Sequence, residues 1–314
     1  MHGPIDLALL HDPHTLTMAP HLVAAGVCVA WRCHIGTAEP NDTCDSTWDY
    51  LSNYWEGIAE LIFSDRSLVP AQAIGLGVRI IPPSIDLGSE KNRAMGTEEQ
   101  KTVLRRAGME IQAADVVIAQ ISRWDPLKDM EGVLAAFRDT PELHRARLVL
   151  LGPAPSGIVD DPEAQDVLDR VQEQWRHLPL ALQDRVHIVC SALEDERGNA
   201  RLVNAIQRRA DVVVQKSLQE GFGLTVTEAM AKGKAIVASR IGGIATQLQD
   251  GVNALLLGDP GDRGQFAKLV LRLIEDEPLA SRLGAAAADR ARREYATERE
   301  LRDHADLVDV LSRR

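Results

Sequence analysis

Short runs of apolar, β-prone residues alternate with longer stretches of helical periodicity along almost the whole chain, and no other feature narrows its fold as sharply. A parallel strand covered on both faces reads as a continuous apolar run, and two parallel strands need a crossover between them. The alternation therefore predicts β-α-β units and an α/β, doubly wound architecture. In the first ninety residues strands are expected at 5–10, 27–33, 61–64 and 78–81, with an amphipathic helix over 46–60. Six more are expected at 116–121, 147–151, 186–190, 212–215, 235–239 and 254–257. Six strands with helices between them make a complete doubly wound domain. The first four read as the latter half of one, because the opening strand runs straight into His11-Asp12-Pro13 with no glycine-rich turn.

The paired prolines of Ile81-Pro82-Pro83-Ser84 cannot continue a ladder or a helix, so they end the first sheet. The organisation expected is a partial N-terminal domain over 1–95, a connecting helix over 96–113, a second domain over 114–277 and, over 278–314, helices packing outside the second sheet. A first domain lacking strands would leave a sheet edge unpaired, which leaves open a homodimer or a partner chain that completes it.

Charge excludes one class of partner. With 46 acidic and 35 basic residues among 314, the net charge is −11, which is unsuited to neutralising a phosphate backbone, so no nucleic acid is expected as main partner. The apolar stretch 22–31 is about half of the ~20 residues that span a bilayer, so no membrane partner is expected. Four cysteines, Cys28, Cys33, Cys44 and Cys190, are too unevenly spaced for a disulfide framework or a paired C-x-x-C zinc site, and fit a reducing cytoplasm. No D-x-D triplet occurs. The acidic clusters Asp160-Asp161 and Glu194-Asp195-Glu196 have no nearby His or Cys, so neither a metal nor another cofactor is expected.

Two segments concentrate chemistry. From Gln215 to Met230 a strand ends in a polar turn, two glycines follow, and a helix begins near Leu224, which sets a helix N-terminus at the carboxyl end of a parallel strand. Glu220 and Glu228 flank that start and would hold different hydroxyls of one extended ligand; the plainer reading is a strand-to-helix turn with a solvated glutamate at each end. Arg123 and Lys128 leave the carboxyl end of another strand, at 116–121. Two fixed cations there suit a diphosphate, Arg as a planar fork and Lys as a point charge. Taken singly they read as ordinary surface charges; the glutamate pair changes that balance.

The R-x4-K spacing at Arg123/Lys128 and the E-x7-E spacing at Glu220/Glu228 resemble the retaining glycosyltransferases that include glycogen synthase and sucrose synthase, which share a B-type fold of two Rossmann-like domains. His11–Pro13, Trp31–Gly36, Ile81–Asp86, Ser122–Asp125 and Gln215–Ser217 are similar to the corresponding motifs of the glycosyltransferring trehalose synthases. The resemblance implies a nucleotide-sugar donor, a small sugar acceptor and transfer of glucose from NDP-glucose to glucose without a metal. It implies that Arg123 and Lys128 bind the diphosphate and stabilise the leaving group. Glu228 would hold the ribose. Glu220 and the amides of Gly221, Phe222, Gly223 and Leu224 would hold the sugar and its phosphate, with Ser217 and Gly152 also on the donor side.

His34 matches a histidine beside the anomeric carbon, with Asp12 and Arg32 on the acceptor side; the structural alternative for His34 is a bond to a neighbouring carbonyl. Trp31 reads as core and Cys33 as a buried filler. The alternatives to a trehalose-forming transferase are a nucleotide-sugar-binding remnant or split-enzyme half, and a related transferase or phosphorylase with another acceptor.

Overall fold

The structure is a computed structural model that describes residues 5–37, 41–155, 163–191 and 195–313. The chain divides into two compact units, one of Met1–Ser84 with Tyr295–Arg314, the other of Ile85–Glu294.

In the first unit the chain runs β1 (Leu7–His11), α1 (Asp12–Leu16), α2 (Ala19–Ala24), β2 (Cys28–Cys33), α3 (Asp42–Ser52), β3 (Glu60–Phe63) and β4 (Val78–Ile80). The four strands form a parallel sheet in sequential order. The expected helix over 46–60 is instead α3, which starts earlier because the Asn41 side chain accepts from the Cys44 amide at 2.9 Å and caps it. Strand residues alternate between two apolar layers. Trp31, Leu61 and Phe63 bury one face with Trp55, and Ala30 and Ile62 face the other way.

The second unit runs α4 (Thr97–Arg106), β5 (Val116–Ile121), α5 (Met130–Asp139), β6 (Ala146–Pro153), α6 (Ala164–Arg176), α7 (Leu180–Gln183), β7 (Val186–Ser191) and α8 (Glu196–Arg209). It continues through β8 (Val212–Gln215), α9 (Leu224–Ala231), β9 (Ala235–Ser239), α10 (Gly242–Gln247), β10 (Leu255–Leu257), α11 (Arg263–Glu275) and α12 (Glu277–Glu294). All six strands are parallel, in the order β10-β9-β8-β5-β6-β7. The chain starts at β5, winds outward through β6 and β7, then returns to lay β8 on the other side of β5. The carboxyl ends of β5 and β8 thus form the switch point at which doubly wound sheets bind ligands. Both faces are buried, Ile118, Leu148 and Val214 on one and Val117, Val149 and Val213 on the other, which is why these strands read as unbroken apolar runs.

Two expectations about the domains are corrected. Residues 85–95, expected in the first domain, and 96–113, expected as a connector, both belong to the second unit. Side chains of α8 clamp the first stretch there: Asn204 Nδ2 donates to the carbonyls of Glu90 and Arg93 at 2.9 and 3.0 Å, and Arg208 Nη2 to those of Asn92 and Arg93 at 2.8 and 2.9 Å. Nor do all the last helices cover the second sheet. α13 (Thr297–Leu311) returns to the first unit, where Leu307 and Leu311, one turn apart, seal the face of Ala30, Ile62 and Ile81. Arg299 Nη2 donates to the carbonyls of Pro82 and Pro83 at 2.7 and 3.2 Å. Buried Arg32 pairs with Glu300 of α13 at 2.7 Å, and the Ser84 hydroxyl donates to the other Glu300 oxygen.

Glu300→Ala leaves the Arg32 guanidinium buried without a counter-charge, and removal of one partner of a buried pair destabilises by about 3 kcal/mol. Urea unfolding of the variant followed by circular dichroism is expected to show that loss. An unchanged midpoint would mean that α13 is held by its leucines alone.

Candidate active site

The loops after β5 and β8 meet at the switch point, and a fully buried lysine joins them. Lys216, at the end of β8, pairs with Asp129 across the gap, and its backbone amide donates to Oε1 of Gln120 on β5 at 3.1 Å. Asp129 is committed from both sides. Its Oδ1 accepts from the Gly132 amide at 3.0 Å, capping α5, and its backbone sits in the left-handed region at φ 49°. The Leu218 amide also donates to the Leu127 carbonyl at 2.7 Å, so the two loops are joined by backbone and side chain.

On this frame Lys128 and Glu220 form an ion pair at 2.6 Å, both largely buried, and Ser217 Oγ donates to the other Glu220 oxygen at 3.1 Å. Arg123 stands half exposed, its guanidinium on Asp125 at 2.8 Å; Asp125 in turn caps the 3₁₀ turn Pro126–Lys128 through the Leu127 amide. The structure therefore brings Lys128, Ser217 and Glu220 together, and sets Arg123 on the same loop as Lys128.

Glu220 opens the turn into α9. Gly223 has φ 88°, and a Cβ on it would lie 3.3 Å from Glu220 Cγ, so the glutamate folds back over the helix start. Gly223 gives α9 no side-chain cap, which leaves the first amides of the helix and its partial positive charge to another acceptor. The turn is fixed by α10: the Gly243 amide donates to the Gly221 carbonyl at 2.7 Å, and Gln247 Nε2 donates to that of Phe222. Phe222 is buried, and Gly221 is open around its Cα. Gly152 faces the β5 loop, since a Cβ there would lie 2.5 Å from the ring of buried Trp124.

Glu228, in the middle of α9, is buried; Lys91 Nζ reaches its Oε1 at 3.0 Å, while Oε2 has no hydrogen-bond partner among the described residues. The reading of Glu220 and Glu228 as solvated turn residues is thereby corrected, because both carboxylates sit in the interior beside a lysine.

In the first unit Asp12 and His34 come together at the carboxyl ends of β1 and β2. Asp12 has φ 60°; its Oδ1 accepts from the His34 amide at 2.8 Å and its carbonyl from Trp31 Nε1 at 3.0 Å. His11 Nδ1 and His34 Nε2 lie 3.2 Å apart, and the rings stack at 5.5 Å. Burial of the ring faces first, and Arg32 second, lowers the proton affinity of both imidazoles. Arg32 itself does not line a surface. It lies buried in its pair with Glu300, with His304 Nε2 at 3.0 Å. Trp31 and Cys33 are buried as expected, and burial pushes the thiol up to about 12.

Sequence reasoning missed Lys91, Asp129, Lys216 as a strut, and the pair Gly242-Gly243. The glycines had a signal, a doublet in the turn after a strand, which marks close backbone approach. The residues Asp160, Asp161 and Glu194 lie outside the described residues. Among the described residues no helix is long and apolar enough to cross a membrane.

The family model Glycosyl transferases group 1 matches residues 105–290, which takes in Arg123, Lys128, Glu220 and Glu228. This chain belongs to the group 1 glycosyl transferases. A second model, Trehalose synthase, N-terminal domain, matches residues 1–70. The chain is 32% identical over 302 residues to a trehalose synthase of Rubrobacter xylanophilus, covering 95% of this chain and 68% of the relative. It is 31% identical over 311 residues to a trehalose synthase of Pyrococcus horikoshii, covering 98% and 69%. The structure of Anabaena Alr3699/HepE in complex with UDP-glucose superposes with a TM-score of 0.78 at 20% identity, covering 97% of this chain and 79% of that one. The two units accordingly have the B-type glycosyltransferase fold.

A Cβ at Gly242, where φ is 42°, would lie 1.9 Å from the Glu220 carbonyl oxygen. Gly242→Ala is expected to cost on the order of 1–3 kcal/mol in urea unfolding, whereas Gly96→Ala, which meets nothing within 4 Å, should be close to neutral. Equal effects would contradict the packing of α10 on the turn.

The histidine pair sets a pH dependence. Both rings bind protons less readily folded than unfolded, so below the ordinary imidazole value of 6.5 the unfolded chain takes up more protons. Stability is then fully present above that pH and falls as pH drops through it. His11→Asn with His34→Asn should flatten this decline in urea titrations run between pH of about 7 and about 5.5. An unaltered slope would assign it elsewhere.

Proposed function

We propose that this chain transfers glucose, with retention, from an NDP-glucose to glucose, forming α,α-trehalose. The observation that carries the proposal is the Lys128–Glu220 pair at the switch point, 2.6 Å apart beside the uncapped start of α9. It puts a cation, helix amides and a carboxylate where an anionic sugar donor needs all three. The choice of trehalose is supported by the match of residues 1–70 to the trehalose synthase N-terminal domain and by the two trehalose synthases cited above. The choice of a nucleotide-glucose donor is supported by the likeness to a protein solved in complex with UDP-glucose.

In this reading the C1–O bond to the diphosphate breaks as a bond from C1 to an acceptor hydroxyl oxygen forms on the same face. Negative charge grows on the leaving phosphate, where Lys128, Arg123 and the amides from Gly221 to Leu224 stabilise it without rearranging. That phosphate oxygen takes the acceptor proton. Glu220 is oriented by Lys128 and Ser217 and accepts hydroxyls of the transferred sugar. Glu228 accepts from the ribose through its open oxygen. In the first unit His34, whose amide donates to Asp12 Oδ1, is the residue that the family resemblance assigns to the anomeric carbon.

The test supplies UDP-, ADP- and GDP-glucose in turn with glucose and follows NDP release and trehalose by proton NMR. Turnover with at least one donor is expected, and Lys128→Ala should lower kcat about 10²–10³-fold. No NDP release from the folded chain with any donor contradicts the proposal. NDP binding without turnover would favour a donor-binding module.

A further inference from the structure

We infer that Lys91, on the strap of residues 86–93, is a positioning residue that fixes the Glu228 carboxylate with Oε2 turned open to the ribose diol of the donor. The inference rests on the donor reading above and deepens it.

The strap is built, not draped. Asp86 Oδ1 accepts from the Gly88 amide at 2.7 Å, and its carbonyl from Asn92 Nδ2 at 3.0 Å, closing a tight turn. α8 grips the turn through Asn204 and Arg208, as described above, and through Arg197 on Glu90 at 2.7 Å. α9 grips it through Lys232, whose Nζ donates to Asn92 Oδ1 at 2.8 Å and to the Glu228 carbonyl at 3.3 Å. Lys91 is thereby delivered to Glu228 by backbone that α8 and α9 hold in place.

The electrostatics give the contact its purpose. A charge as buried as the Glu228 carboxylate is costly unless it is paired, and Lys91 supplies the counter-charge. With Lys91 on Oε1, that oxygen is occupied and the carboxylate is fixed in rotation. Oε2, buried and without a partner among the described residues, is left able to accept from a vicinal diol. Lys91 itself is 40% exposed, so its removal leaves no core cavity.

The test is calorimetry with whichever of UDP, ADP and GDP the wild type binds best, set against its 2′,3′-dideoxy analogue. The wild type is expected to prefer the ribose form about tenfold, the scale of a charge-assisted hydrogen bond. Lys91→Gln should abolish that preference by weakening the ribose form alone, and Lys91→Arg should keep it. A Lys91→Gln variant that retains the wild-type preference, or weakens both ligands equally, overturns the inference while the diol reading of Glu228 stands. A wild type that binds the two forms alike, or binds neither, defeats the diol reading itself, and the inference with it.

Discussion

The donor-side architecture depends on the ion pair of Lys216 with Asp129. A fully buried ammonium is tolerable only with a paired charge, and this one has its partner on a loop 87 residues distant in sequence. Because Asp129 also caps α5 from a left-handed backbone, the pair fixes the direction of that helix, the loop before it and the end of β8 together. Lys128 neighbours Asp129 and Glu220 follows Lys216 by four residues, so the outer pair inherits its geometry from the inner one. A lysine free to sample its rotamers would lose entropy on meeting a diphosphate; one already held by this frame loses less.

Burial of the carboxylates has a second consequence. Glu220 and Glu228 each sit against one lysine, and each lysine is carried by a segment from elsewhere in the chain, Lys128 by the β5 loop and Lys91 by the strap. In water such pairs would contribute little; in this partly dehydrated pocket they give two largely buried carboxylates the counter-charges that burial requires. The acidic surplus of the whole chain, 46 against 35, thus says little about the site, where the lysines match the carboxylates one for one.

The ten strands were legible because each is an apolar run bounded by turn residues, and only their ends moved: the strand expected at 5–10 is Leu7–His11 and that at 254–257 is Leu255–Leu257. The R-x4-K and E-x7-E spacings were legible because both lie within single strand-loop-helix units. Their meeting was expected only through the family resemblance, since it depends on β8 returning beside β5, a choice of strand order that no local pattern encodes. The same holds for Arg32. The resemblance assigned it to the acceptor side, yet its burial was decided by Glu300, 268 positions away on a helix whose amphipathic face gave no hint of which sheet it would cover.

That helix shows why a C-terminal segment can matter to residues near the start of a chain. Without α13 one face of the first sheet would expose Ala30, Ile62 and Ile81, and Arg32 would lose both Glu300 and His304. Arg32 is also the second cause, after burial, of the lowered proton affinity of His11 and His34. At 3.2 Å the two facing ring nitrogens can share one proton between them and cannot both carry one, so the pair needs at least one neutral ring. The guanidinium favours that state by repelling added charge, and α13 holds the guanidinium. The packing of two leucines and one ion pair at the end of the chain is therefore coupled to the protonation of two histidines at its beginning.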